Sequence, residues 1–306
     1  MSCKRFANDV KIANHVEIVW FYYSASSGFM RYPSVAGTFY SSSRQSLATD
    51  IDSYLSKAES DPILVERKRS INQILGLVAP HAGHMYSGGV AAYAYALLKN
   101  TAPATYVIIG PNHTGKGKPI AISRDDWTTP LGVVKTDTTL CDAIKAESTL
   151  ADFDESAHLF EHSIEVQLPF LQRVVDDPRI VAICMGIQSY AAANDIARAV
   201  ADAAAKTRKN VVIIASSDFT HFESAESAKQ KDERALRFIE KLHAKEFVDL
   251  VETENLSICG YGPIATALLW GTKNDCKVSL LKYANSGDVT SDYSEVVGYA
   301  AIAVYK

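Results

Sequence analysis

The sequence predicts an α/β fold: a single domain with a largely parallel central sheet flanked by helices. Three observations predict it. Short runs of Val, Ile and Leu recur with little polar alternation, as strands buried on both faces require. Helix-patterned segments separate most of those runs, which is how parallel strands joined by crossovers read in sequence. No repeat, low-complexity tract or Pro/Gly/Ser-rich linker interrupts the 306 residues, a length that one large α/β domain can fill.

In chain order, the first strand is expected at 73–79 (QILGLVA), an aliphatic run ended by Pro80. A helix is expected at 88–99, alanine-rich and opened by a Gly-Gly pair, followed by a strand at 105–110 (TYVIIG). The segment 163–175 carries Ile164, Leu168 and Leu171 at helical spacing, the stripe of a core-facing helix. Strands at 179–186 (RIVAICMG) and 210–216 (NVVIIAS) enclose a helix at 191–206. Helices at 224–250 and 262–270 precede the closing strands, 277–284 (KVSLLKYA) and 296–305 (VVGYAAIAVY).

Composition excludes several classes. The net charge is −4 and no dense Lys/Arg face is visible, so neither nucleic acid nor an acidic membrane surface is an expected partner. The five cysteines stand apart at 3, 141, 184, 259 and 276 with no CxxC, the pattern of a reducing, cytoplasmic setting. No apolar run reaches the ~18–20 residues of a membrane helix. The stretch 16–25 (VEIVWFYYSA) is too short, carries Glu17 and lacks a small-residue cleavage site, so it does not read as a signal peptide. Met30 reads as the natural start, with 1–29 a disordered or non-native extension.

Three strands run directly into histidine-bearing loops: Pro80-His81, Pro111-Asn112-His113 and Ser217-Asp218-Phe219-Thr220-His221. Ligands of open α/β sheets gather beyond the carboxyl ends of the strands. Imidazole is a common metal ligand, so His81, His113 and His221 are candidates to meet there. Asp218 and His221, three apart, share a face if the segment is turning helical, either as an acid/base or ligand pair or with Asp218 capping the helix. His162, at the start of the 163–175 helix, is placed to face an anion or a substrate oxygen. Glu165 either orients a neighbouring imidazole or complements the helix dipole. Cys259 sits in a Gly-rich turn ahead of a helix N-terminus, a setting that lowers a thiol pKa and suits a metal ligand or nucleophile. Cys141, Cys184 and Cys276 read as inert core residues.

Taken together and in order, RYPSVAGTFY, APHAGHMYSG, GPNHTG, EHSIEVQLPFL, SSDFTHF and ICGYGPI resemble the Memo family over residues 31–306. That family resembles in fold the class III extradiol dioxygenases, enzymes that use non-haem Fe(II). The resemblance implies one α/β domain and a metal pocket with His81, His113 and Cys259 as ligands. It sets His162, Asp218 and His221 along the same pocket. His84 stands where relatives often carry Tyr and receives no role. Dioxygenases of this type use two His and a carboxylate, and a thiolate in the third position makes Zn²⁺ or Cu(I) competitive with Fe(II). A His₂Cys zinc centre is chemically sound. Asp218 is the alternative third ligand.

Three functions fit. The first is a metal-dependent redox or O₂-linked enzyme on a small substrate, with Fe(II) the first choice of metal, Cu and Zn the alternatives, and His162, His221 or Asp218 handling protons. The second is a non-catalytic metal-binding or peptide-binding interaction protein using the same pocket. The third is a metal-free hydrolase pairing Cys259 with His162 or His221. The sequence names neither the substrate nor the oligomeric state.

Overall fold

Aliphatic runs that can be buried on both sides set the centre of the computed structural model, which describes residues 30–306. The extension expected at 1–29 lies outside the described residues. The chain opens with β1 (Met30–Arg31), α1 (Arg44–Ser60), α2 (Pro62–Arg69), β2 (Ile74–Ala79), α3 (His84–Tyr95) and β3 (Thr105–Pro111). Next come β4 (Ile120–Ser123), β5 (Asp126–Thr129), β6 (Gly132–Thr136), α4 (Thr138–Glu147), β7 (Asp152–Phe153), α5 (Leu168–Val174) and β8 (Arg179–Met185). Then follow α6 (Tyr190–Thr207), β9 (Val211–Ser216), β10 (His221–Glu223), α7 (Ala225–Glu240) and α8 (Ala244–Glu254). The last elements are α9 (Tyr261–Lys273), β11 (Lys277–Asn285), α10 (Gly287–Thr290) and β12 (Val296–Tyr305).

β8, β3, β9 and β2 lie side by side in that order, all parallel. Antiparallel pairs flank them: β12 on β2, β11 on β12 and β4 on β8. The expected parallel sheet is therefore its centre, and its margins are mixed. Alternation explains the unbroken Val/Ile runs. Val107, Ile109, Val181, Ile183 and Ile213 face one core with Ile144, Ile196 and Leu268. Their neighbours Tyr106, Ile108, Ile180, Ala182 and Ile214 face the other with Leu47, Ile51 and Phe170. Each such side chain is buried, and full burial contributes about 1.5–3 kcal/mol.

Some boundaries differ from expectation. The 88–99 helix begins at His84 and ends at Tyr95, so Gly88 lies inside it. A Cβ at Gly88 would come within 2.8 Å of the Tyr54 ring, so glycine lets α1 pack close on α3. The 224–250 segment is two helices, parted where Leu242 takes a left-handed φ of 59°. The 163–175 segment starts as one 3₁₀ turn at Glu165–Gln167 before α5. No helix among the described residues is long and apolar enough to cross a membrane.

Candidate metal centre

β2, β3 and β9 deliver Pro80-His81, Asn112-His113 and Ser217-Asp218 to one end of the sheet. The Asn112 side chain builds its own turn, accepting the backbone N–H groups of Thr114 at 3.1 Å and Gly115 at 2.9 Å. The loop before α5 brings His162 to the same place. It can approach because β3 has Gly110 there: a Cβ would lie 2.3 Å from Ser163 Oγ.

The ring nitrogens of His81, His113 and His162 lie within 4.8 Å of one another, a group that can hold a metal ion. His81 is edge-on to both neighbours, with centroid distances of 5.1 Å to His113 and 5.4 Å to His162. His113 and His162 are stacked at 4.7 Å with their planes only 20° apart. The histidines run from buried His81 through half-buried His162 to His113 at the mouth. Burial, with the charges of His113, His162 and His221, pushes the His81 pKa well below its ordinary value. Burial outweighs the Glu161 charge and takes His162 down to about 4. Both imidazoles are neutral at neutral pH, the form that binds metal.

Cys259, expected as the third ligand, borders this set at His81 and is not one of its members: its Sγ lies 3.1 Å from His81 Nε2 and accepts the Asp218 N–H at 3.2 Å. The expected fall of the thiol pKa is overturned. Burial and then the nearby Asp218 charge push it up, and the N–H groups of the following turn serve others. Gly260 N–H donates to Ser217 Oγ and Gly262 N–H to Gln188 Oε1. A cation at the thiol would reverse that shift, since coordination deprotonates it.

Asp218 does not cap a helix and shares no helical face with His221, because His221 begins the short strand β10. The Asp218 carboxylate is buried and accepts the N–H groups of His81 at 2.8 Å and Ala82 at 3.3 Å. Its other oxygen is 4.0 Å from His81 Nε2. Burial lifts its pKa to about 6 against those hydrogen bonds. His221 donates from Nδ1 to the Ser257 carbonyl at 2.8 Å, and its charge acts on both His81 and Asp218. Beside it Phe222, 74% exposed, adopts a left-handed φ of 57°.

Two carboxylates carry roles the sequence did not assign. Glu161, wholly buried, accepts His113 Nδ1 at 2.9 Å and the His113 N–H at 2.6 Å, and lies 3.5 Å from His162 Nδ1. Burial raises its pKa, but the hydrogen bond and charge of His113 prevail and hold it at about 2. The only signal was its place beside His162. Glu165 orients no imidazole through a hydrogen bond. It pairs with the Arg31 guanidinium and accepts the Ser34 N–H at 2.9 Å, the Val35 N–H at 3.0 Å and the Tyr40 hydroxyl at 2.6 Å. It therefore anchors the 31–40 segment, whose Phe39 ring sits 4.6 Å from His162. His84 is structural: its Nε2 donates to the Val166 carbonyl at 2.9 Å. A separate cavity of about 600 Å³ opens at the amino ends of β2, β3 and β9, away from the histidines.

The fold is shared with the crystal structure of the uncharacterized protein JW3007 from Escherichia coli K12, at a TM-score of 0.50 and 12% identity. That alignment covers 74% of this chain and 99% of the other. Sequence relatives are much nearer. A MEMO1 family protein of Methanosarcina acetivorans is 46% identical over 277 residues, spanning 90% of this chain and 99% of the relative. Another, from Methanothermobacter thermautotrophicus, is 42% identical over 281 residues, spanning 90% of this chain and all of the relative. With residues 31–303 matching the Memo-like protein family, the chain belongs to that family.

Proposed function

We propose that this chain is a metal-dependent redox protein, dioxygenase-like, acting on a small substrate at the carboxyl end of its sheet. The observation that carries the reading is the convergence of His81, His113 and His162 within 4.8 Å. The donor set fits a divalent or redox metal: neutral imidazoles, a thiol and a buried carboxylate, with Fe(II) preferred and Cu or Zn competing through the sulfur. His81 and His113 are the ligands, and Cys259 is the third. Cys259 is taken as the third ligand on the family resemblance and for its softness, while the group whose ring nitrogens lie within 4.8 Å of one another holds His162 instead, which is the alternative third ligand. Cys259 already faces His81 Nε2. A bound redox metal would supply electron transfer and Lewis acidity. His162, beside His113 and half-buried, is the proton acceptor for substrate, and His221 and Asp218 complete the polar wall.

Anaerobic Fe(II) titration by calorimetry, with Zn²⁺ as competitor, tests the reading. One-to-one binding is expected, and His162→Gln should retain metal while abolishing O₂ uptake with catechol-like substrates. Failure to bind any metal sinks it and leaves the thiol mechanism, expected with His162 or His221, although the imidazole beside the Cys259 sulfur is that of His81.

Exposed apolar side chains favour a second reading, peptide binding at the same mouth. Phe160 and Ile187 on loops, Met85 in the first turn of α3 and Phe222 in β10 are 48–74% exposed at this end of the sheet. Metal binding with no turnover on any small substrate would select it.

A further inference from the structure

Ser216 ends β9 and is wholly buried. Its hydroxyl has one proton to give and two lone pairs to accept with. Three groups surround it: the Ser163 carbonyl at 2.6 Å, Gln167 Nε2 at 2.8 Å and His81 Nδ1 at 2.9 Å. The Gln167 amide has one sensible orientation. Its nitrogen also faces the carbonyls of Pro80 at 3.0 Å and Ala79 at 3.4 Å, while its oxygen accepts the Tyr95 hydroxyl at 2.8 Å. Turning it over would set its oxygen against two carbonyl oxygens, so the nitrogen donates to Ser216.

The Ser163 carbonyl can only accept, and the Ser216 proton belongs to it. His81 Nδ1 then meets a lone pair and must donate. We infer that Ser216 is a positioning residue that locks His81 as the Nδ1–H tautomer and so presents a bare Nε2 lone pair to Cys259 and the histidine cluster. The same residue reaches the second imidazole. Ser163 N–H donates to Glu161 Oε1 at 2.9 Å, and that oxygen also accepts from His113 Nδ1. Both imidazoles are thereby set with Nε2 inward by hydrogen bonds that meet at Ser163.

The functional meaning of this lock rests on His81 being a metal ligand, but the tautomer itself does not. Long-range ¹H–¹⁵N correlation spectra of ¹⁵N-labelled, metal-free protein at neutral pH read it directly, with His81→Gln assigning the signals. The expected result is a protonated Nδ1 and a bare Nε2 in the wild type, giving way to a tautomer mixture in Ser216→Ala. Ser216→Cys, which keeps the shape but replaces the hydroxyl by a weak acceptor, should move toward the same mixture if Ser216→Ala does not fold. A wild-type Nε2–H tautomer overturns the inference, and so does a His81 signal unmoved in both variants. Calorimetric titration with Zn²⁺ should show Ser216→Ala weaker by about 10–100-fold, the usual cost of losing the group that orients a ligand. A wild type that binds no Zn²⁺ yet keeps the Nδ1–H form would count against the metal centre and uphold the lock.

Discussion

The sulfur of Cys259 lies 3.1 Å from Nε2 of His81, although 178 residues separate them. Without metal the pair is bridged by a proton. In the proposed metal centre the two would be a soft and a borderline donor on one ion. Cys259→Ser keeps the size and loses the softness. Its Fe(II) affinity is expected to fall by more than the roughly 100-fold that loss of an outer partner costs. Calorimetry against the wild type checks this, and unchanged binding would move the third ligand to Asp218 or His162.

Glu161 holds His113 from two directions. Glu161→Gln keeps the shape but removes the charge that makes His113 a strong donor. Metal affinity should drop about 10–100-fold with little change in the far-ultraviolet circular dichroism spectrum.

Glu165 acts on the fold. Its carboxylate and the Arg31 guanidinium are both buried, so Glu165→Gln strands a charge and is expected to cost about 3–5 kcal/mol. Urea unfolding followed by tryptophan fluorescence measures the loss. A change under 1 kcal/mol, the range of exposed ion pairs, would show that the pair matters little to stability.

His158 sets an acid response. It is fully buried, and burial takes its pKa from 6.5 down to about 4. The unfolded chain binds the proton first as pH falls, so stability is full above 6.5, declines between 6.5 and about 4, and levels off below. That difference corresponds to about 3 kcal/mol. His81, His84 and His162 act over the same range, so His158→Gln should lower the slope of this part of the stability–pH curve without abolishing it, and an unchanged slope would assign the acid response to the others.

Gly110 gives room to the loop that carries Glu161 and His162. Gly110→Ala forces Ser163 away and is expected to cost about 1–3 kcal/mol while weakening metal binding. Thermal unfolding and Zn²⁺ titration on one sample check both effects.

The central sheet was legible because strands buried on both faces leave continuous aliphatic runs, and all six expected strands are present. The margins were not, since β4 to β7 are only two to five residues long and β5 to β7 mix buried with partly exposed positions. α1 escaped because only Leu47, Ile51, Leu55 and Ala58 mark its buried stripe in a polar stretch. Strand ends pointed to His81, His113 and His221; the first two join the cluster, while His221, four residues further along its loop than Ser217, begins β10 outside it. His162 entered the cluster from an irregular loop, where spacing fixes no direction. For the same reason the sequence could not say that Glu161 faces the imidazoles while Glu165 turns to Arg31. The sign of the Cys259 shift depends on burial and on Asp218, both set by distant chain.

The distance along the chain between His81 and Cys259 also orders events in time. At translation rates of roughly 5–20 residues per second, His81 emerges on the order of ten seconds or more before the thiol that completes its surroundings. Arg31 likewise waits 134 residues for Glu165. A nascent chain therefore displays His81 well before it can offer the Cys259 sulfur, and the contact between them forms only once residue 259 has been made.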